Sequence, residues 1–340
     1  MEYRHAIGRI AAVIDAAVER SFPGRRRVYI ANSFAGTRQR RRRTVSLASG
    51  YPEVYDSAAC EIHWTGSPEE AAAVIRGLSA GHRPGDETPV VVSLGGDGTH
   101  NHCLRAGMDA PDTVTFLRVP LGSGNDAGST ASLREFFEIL NGSLRERFIP
   151  AVEVVRLGNP EAPVDAAFNI ASVGIDAFIT AMHDKWRTVL PGNTYRLLVN
   201  MAVLRYERLV NMGPSRLTLA SENGTGEILD DGFRPRTLIA MGVSGGRTYG
   251  DHMRVLPGEE NICVLGKANL FDKFRMKRLF YAGRHVEEPL TTMYRSEEIV
   301  LEYDGRLPLQ MDGEALWLEK KDFPLRMRML PKTVSIIDPE

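Results

Sequence analysis

Gly95-Gly96-Asp97-Gly98-Thr99 closes the apolar run Val90–Leu94 and leads into a stretch of helical character. A strand feeding a glycine-rich turn lets backbone N–H groups approach phosphate oxygens with no side chain in the way. A carboxylate in the middle of such a turn repels phosphate unless a Mg²⁺ ion or an adenosine hydroxyl stands between them. Asp97 therefore points to a nucleotide site in which it has a task. Gly-Gly and Asp-Gly are also ordinary turn pairs, and any buried strand needs an exit. The five residues alone leave both readings open.

The elements that would position this turn follow from periodicity. Ile10, Val13, Ile14, Ala17 and Val18 recur at helical spacing, which predicts an amphipathic helix over 5–20. It has three uses open to it: packing on its own domain, a homodimer contact, or resting on a membrane. Strands are expected at Arg27–Asn32, Glu61–Thr65, Val90–Leu94 and Thr115–Val119. Ser67-Pro68-Glu69-Glu70 has the cap, first-turn proline and glutamate of a helix start, with the end near Gly81. A further helix is expected over about 99–107. This alternation predicts an α/β domain with a Rossmann-like three-layer parallel sheet, and ligands in such sheets bind beyond the carboxyl ends of the strands. Three loops fall there: Asn32–Gly36, Gly95–Thr99 and Pro120–Asp126.

Beyond about residue 148 short β-like runs take over, among them Val152–Leu157, Ala167–Val173 and Leu238–Val243. Asp-Gly pairs at 231–232, 304–305 and 312–313 read as hairpin turns between such runs. Helical stretches interrupt near 194–210 and 270–283. The expectation is a nucleotide-binding α/β domain over 1–147 and a mostly antiparallel β-sandwich over 148–321. A last strand, about 322–340, is free to return to the first domain.

Composition narrows the function classes. Two domains suit 340 residues, 43% of them apolar, and a net charge of −1 argues against a nucleic-acid partner. No apolar run is long enough to span a bilayer, and the N-terminus lacks a signal-peptide pattern. Cys60, Cys103 and Cys263 form neither a disulfide framework nor a zinc spacing, which fits a reducing cytoplasm. His100 and His102 make a poor metal pair. Arg25–Arg27 and Arg38, Arg40–Arg43 concentrate positive charge that would suit ATP phosphates or an anionic membrane, or else a solvated loop.

Gly95–Thr99 followed by Pro120-Leu121-Gly122-Ser123-Gly124-Asn125-Asp126 resembles the diacylglycerol kinase catalytic-domain family, which includes soluble bacterial lipid kinases and is related to sphingosine and ceramide kinases. Asn32 and Gly36 keep two positions of that family's first loop, and Asn101 matches an asparagine after the glycine turn. Asn169–Ala177, Gly283-Arg284-His285 and Met311-Asp312-Gly313-Glu314 follow in the family's order, so the resemblance runs over roughly 27–318.

The resemblance implies phosphoryl transfer from ATP with Mg²⁺ to a lipid hydroxyl, in a cleft where Asp97 and Asp312 face each other. Asn32, Gly36, Gly95, Gly96, Asp97, Gly98 and Thr99 would hold the nucleotide, with Gly122, Ser123, Gly124, Asn125 and Asp126 on its other side. Asp97 would meet the metal through ATP. Asp312 would act as general base with Glu314 beside it, and Asp176 would either touch the lipid head group or serve as a structural cap. The family's acidic segment for a second metal ion is shortened here to Pro257–Ile262, where Glu259 or Glu260 would have to substitute. The implied partners are a lipid substrate and, transiently, a membrane surface. Two other functions stay open: an NAD kinase-type enzyme, and a non-catalytic lipid- or nucleotide-binding regulator.

Overall fold

The spacing of Ile7, Ile10, Ile14 and Val18 produces α1 (Glu2–Ser21), and all four side chains are buried. The computed structural model describes residues 2–33, 38–50, 61–122, 132–186, 195–210, 212–220, 228–243 and 253–339. Contacts divide the chain into two units, 1–149 with 332–340, and 150–331.

In the first unit α1 is followed by β1 (Arg27–Asn32), α2 (Arg38–Ala48), β2 (Glu61–Thr65), α3 (Pro68–Gly81), β3 (Val90–Gly95), α4 (Asp97–Gly107), β4 (Thr115–Pro120), α5 (Leu133–Leu140) and the start of β5 (Leu144–Arg156). Its strands pair in the order β2-β1-β3-β4, all parallel, and Ser335 and Ile336 of the C-terminal segment add a further parallel strand beside β4. One sheet face rests on α1 through Tyr29, Val92 and Leu117. The first helix thus packs on its own unit. Ser67 caps α3 by accepting from the Glu70 amide (3.3 Å), and Glu70 accepts from the Gly66 amide (2.6 Å).

Within the arginine-rich stretch, Arg25, Arg26 and Arg27 are each paired with acids of the same unit. Arg25 is buried, with its guanidinium on Glu146 (2.7 Å), the Thr88 carbonyl and Thr115. Glu146 also accepts from Ser335 (2.6 Å), so this ion pair ties the C-terminal strand into the sheet. Arg26 pairs with Glu61, and Arg27 with Asp15 and Glu19. Arg42 and Arg43 of α2 are exposed.

The second unit takes the rest of β5 and continues through β6 (Asp165–Ala167), β7 (Ile170–Gly174), α6 (Ile175–Trp186), α7 (Tyr195–Leu209), β8 (Pro214–Ala220), β9 (Ile228–Gly242), β10 (Ile262–Gly266), α8 (Leu270–Ala282), β11 (Thr291–Tyr294), β12 (Glu298–Glu302), β13 (Leu307–Met311), β14 (Glu314–Leu318) and β15 (Leu325–Pro339). Two antiparallel layers result. One runs β14-β13-β7-β9-β10-β11, the other β9-β8-β12-β15, with β9 bending to serve both. Along β9 and β10, Ile239, Met241, Ile262 and Val264 face the central core, while Leu238, Ala240, Cys263 and Leu265 face a second core under α8. The fold is an α/β unit with a parallel sheet joined to an antiparallel β-sandwich.

The structure corrects several details. Asp231-Gly232 is not a hairpin turn. It lies inside β9, where Asp230 accepts from the Gly232 amide (2.9 Å) and Asp231 pairs with buried Arg236 (2.8 Å), forming the bend between the layers. Asp304-Gly305 joins β12 to β13, strands of different layers. Asp312-Gly313 alone among the three links paired neighbours; both residues have positive φ (52° and 86°), the requirement of a two-residue type I′ hairpin turn. The run 167–173 is two strands, because the amides of 168–170 bind the Asp312 carboxylate instead of continuing a ladder. Cys103 and Cys263 are buried and their thiols are pushed up to about 12, so neither is a nucleophile.

Candidate active site

In the first unit the chain runs from β1 outward to β2 and then returns to place β3 on the other side of β1, so the crevice between the carboxyl ends of β1 and β3 is the topological switch point. Asn32 ends β1 and Gly95 ends β3. The Asn32 side chain donates through Nδ2 to Thr99 Oγ1 (2.8 Å), which ties the two loops together. A Cβ on Gly95 would lie 2.6 Å from the Thr99 side chain, and one on Gly96 would lie 3.0 Å from the Gly122 Cα. The Leu121 amide donates to the Gly95 carbonyl (2.9 Å) and brings Gly122 against the turn.

The helix begins at Asp97, two residues earlier than its sequence periodicity suggests. Gly96 is its extended N-terminal neighbour and makes no side-chain cap. The first helical bond runs from the His100 amide to the Gly96 carbonyl (3.1 Å). Asp97, Gly98 and Thr99 thus form the first turn, whose amides a helix leaves without intrahelical acceptors and whose dipole favours an anion.

Asp97 itself is answered by a residue that sequence reasoning missed. Its Oδ1 accepts from Arg118 on β4 (2.5 Å), with the two side chains 19% and 8% exposed. A charged residue between Leu117 and Val119 of a buried strand was the available signal, since a buried arginine needs a partner. Beneath this pair His100 is buried, with Nδ1 2.8 Å from Ser93 Oγ, and burial together with the Arg118 charge pushes it down to about 3. The native state therefore holds His100 neutral, while the unfolded chain protonates it below its ordinary value of 6.5. Stability should fall as pH drops from about 6.5 towards 3, and His100→Asn, which keeps a donor or acceptor for Ser93, should flatten that part of the profile in urea titrations. An unchanged acid limb would contradict this.

ATP fits these residues on two observations. Gly96 leaves open a position that a Cβ would fill against Gly122, and the buried Asn101 Oδ1 has no hydrogen-bond partner among the described residues. No trio of Asp, Glu, His or Cys among the described residues is grouped to hold a metal. Gly36, Ser123, Gly124, Asn125 and Asp126 lie outside the described residues.

In the second unit the Asp312 carboxylate accepts three backbone N–H bonds, from Phe168 (2.7 Å, on Oδ2) and from Asn169 and Ile170 (2.9 and 3.0 Å, both on Oδ1). Its own amide donates to the Ile170 carbonyl (3.0 Å). Glu314 starts β14 immediately beyond the turn. Gln310 connects this turn to Asp176. Its carbonyl accepts from the Gly313 amide (2.9 Å), while its NH₂ donates to Ser172 Oγ (2.9 Å) and Asp176 Oδ2 (3.0 Å). Ser172 also donates to Asp176 Oδ2 (2.7 Å). Burial pushes the Asp176 carboxyl up, against the lowering effect of its two hydrogen bonds. The weakly signalled Asp176 and the better-signalled Asp312 are thus one network, and buried Gln310 is the link. Glu259 is 92% exposed and 3.5 Å from Arg295.

Asp176 also opens onto a cavity of ≈ 60 Å³ between α6, α7, α8 and the β9–β10 face. Its walls are mainly apolar, including Ile179, Val199, Val203, Leu238, Met276 and Phe280, with Lys273 and Lys277 as the cationic members. Lys273 is buried and lies 5.3 Å from the Tyr206 ring centroid.

Comparison with known proteins agrees with this architecture. Residues 26–157 match the diacylglycerol kinase catalytic domain, and 169–338 match the YegS C-terminal NAD kinase beta sandwich-like domain. Solved structures of a diacylglycerol kinase and of two proteins assigned that activity, all from Bacillus anthracis str. Sterne, superpose with TM-scores of 0.56, 0.58 and 0.57 at 13%, 14% and 15% identity. Each alignment covers 92% of this chain and 96% of the other, a likeness of fold. Comparison with curated protein sequences gives no match. The parallel sheet with its glycine turn and the sandwich with its Asp-Gly hairpin are the two halves of one family pattern, and the chain belongs to the diacylglycerol kinase catalytic-domain family, with an NAD kinase-like second domain.

Proposed function

We propose that the protein is an ATP-dependent kinase that transfers the γ-phosphoryl group to a hydroxyl of a diacylglycerol- or sphingoid-like lipid. The acceptor oxygen forms a bond to the γ-phosphorus, the β–γ anhydride bond breaks, ADP leaves, and the hydroxyl proton passes to a base. Such transfer needs positioning and charge neutralisation more than covalent chemistry. The first-turn amides of α4 hold phosphate oxygens, and Asn101 offers its buried acceptor to a donor of the nucleotide. Mg²⁺ carried by ATP would neutralise phosphate charge, with Asp97 as the carboxylate that meets it.

An ionised carboxylate has about four acceptor positions. Three backbone N–H bonds orient that of Asp312, which takes the acceptor's proton. Glu314 and Asp176 orient the acceptor. The observation that carries the lipid assignment is the apolar cavity ending at Asp176, a lining suited to hydrocarbon. At ≈ 60 Å³ it is smaller than the several hundred Å³ of a filled ligand site, so holding an acyl chain requires the α6–α8 layer to move apart.

The NAD kinase-like sandwich makes NAD the competing acceptor. Incubation with Mg²⁺, γ-labelled ATP and separate samples of diacylglycerol, a sphingoid base and NAD distinguishes the readings. Label in an organic-phase product is expected. Label in NADP instead would replace the lipid reading, and ATP binding without transfer to any acceptor would favour the non-catalytic regulator.

A further inference from the structure

Helix α8 carries apolar side chains on both its inward and its outward face. Its inward face carries Lys273 with Met276 and Phe280, and all three are buried. Its outward face carries Leu270, Phe271, Phe274, Arg275 and Arg278, and Phe271 is 86% exposed. The spacing of these outward residues, one, four, five and eight positions from Leu270, makes them one stripe.

The helix is firmly held. Asn269 and Asp272 form a reciprocal capping box at its start (3.0 and 3.2 Å), and Gly283 ends it in the left-handed region at φ 68°. The exposed aromatics therefore sit on a rigid element. Leaving two phenylalanines and a leucine in water is unfavourable for a surface without a partner.

Charge selects the partner. Arg275 and Arg278 belong to the stripe, and exposed Lys267 lies two residues before the cap. The nearby acids are engaged: Asp272 and Glu288 with Arg275 (3.8 and 2.8 Å), and Glu287 with Arg284 (3.1 Å). An apolar stripe bordered by lysine and arginine, on a chain whose net charge is −1, suits the interface of an anionic bilayer, where aromatic rings enter the headgroup region and cations meet the lipid charge. We propose that the outward face of α8, led by Phe271 and Phe274, is the surface by which the protein docks on anionic membranes. Its inward residues wall the cavity assigned above to the acceptor, so, on that reading, a docked helix stands between bilayer and pocket.

The test is flotation with vesicles of phosphatidylcholine alone or mixed with phosphatidylglycerol, without ATP or acceptor. A failed acceptor assay therefore leaves its result standing. The wild type should float with the mixed vesicles and release as salt is raised. Phe271→Ser/Phe274→Ser and Lys267→Glu/Arg278→Glu should each weaken binding roughly tenfold or more. Thermal midpoint and ATP binding should stay at wild-type values, since these side chains are exposed and outside the cavity lining.

Absence of wild-type flotation, or flotation of both variants like the wild type, would overturn the proposal. So would a concentration-dependent dimer in sedimentation velocity that Phe271→Ser dissolves without any loss of lipid binding, because the face would then belong to a second copy.

Discussion

Asp97→Ala should abolish phosphoryl transfer and destabilise the protein, and the two effects should be separable. Removing the carboxylate takes away an ion-pair partner of a guanidinium that is only 8% exposed. Breaking such a pair from one side costs on the order of 3 kcal/mol, whereas replacing both members is often close to neutral. Asp97→Asn/Arg118→Met should therefore recover most of the urea midpoint lost in Asp97→Ala while staying inactive, because the carboxylate proposed to meet the nucleotide's metal is still missing. Equal instability in single and double variants would show that Arg118 is held by other contacts. An active double variant would remove Asp97 from the chemistry.

The second large effect is expected at Asp312. Its carboxylate serves three amides, two on Oδ1 and one on Oδ2. Asparagine tolerates the left-handed φ of 52° and can keep the two bonds on its oxygen. It then turns an NH₂ towards the Phe168 amide, so donor meets donor. A lost charge-assisted bond and one unsatisfied amide together amount to about 2–4 kcal/mol. Asp312→Asn should lower the unfolding midpoint accordingly, and transfer to the acceptor should fall to background even under conditions where the variant is fully folded. A shift below about 0.5 kcal/mol would show that the three bonds contribute little net stability. Wild-type turnover in the folded variant would remove Asp312 as the base.

These residues also show where sequence reading succeeds and where it stops. Val90–Thr99 was legible because a buried strand, a glycine turn and a following helix are all local patterns, and their order along the chain carried the family resemblance. The parallel sheet followed from the strand–helix alternation, and the Asp312-Gly313 hairpin from its dipeptide. What escaped was set by partners distant in the chain. Arg118 answers Asp97 across 21 residues, and Gln310 joins Ser172 and Asp176 to the Asp312 turn across more than 130. Neither residue belongs to a motif of its own.

Three Asp-Gly pairs look alike in sequence, yet one is a hairpin turn, one a passage between layers and one a bend inside β9. The difference is decided by which strands pair, and no local pattern encodes that. Arg25–Arg27 gave a similarly misleading signal. Charge counting sees a positive cluster, while Glu146, Glu61, Asp15 and Glu19 come from elsewhere in the unit to neutralise it. The exposed aromatics of α8 were invisible for a related reason, because apolar residues on two sides of a helix do not say which side meets the core.

Whether a nucleotide held at Gly95–Thr99 donates its phosphoryl group to a lipid is read from organic-phase label from γ-labelled ATP, measured for the wild type and for folded Asp97→Asn/Arg118→Met side by side. The wild type should give a phospholipid product and the double variant none. Equal labelling by both, or wild-type label found only in NADP, would contradict it.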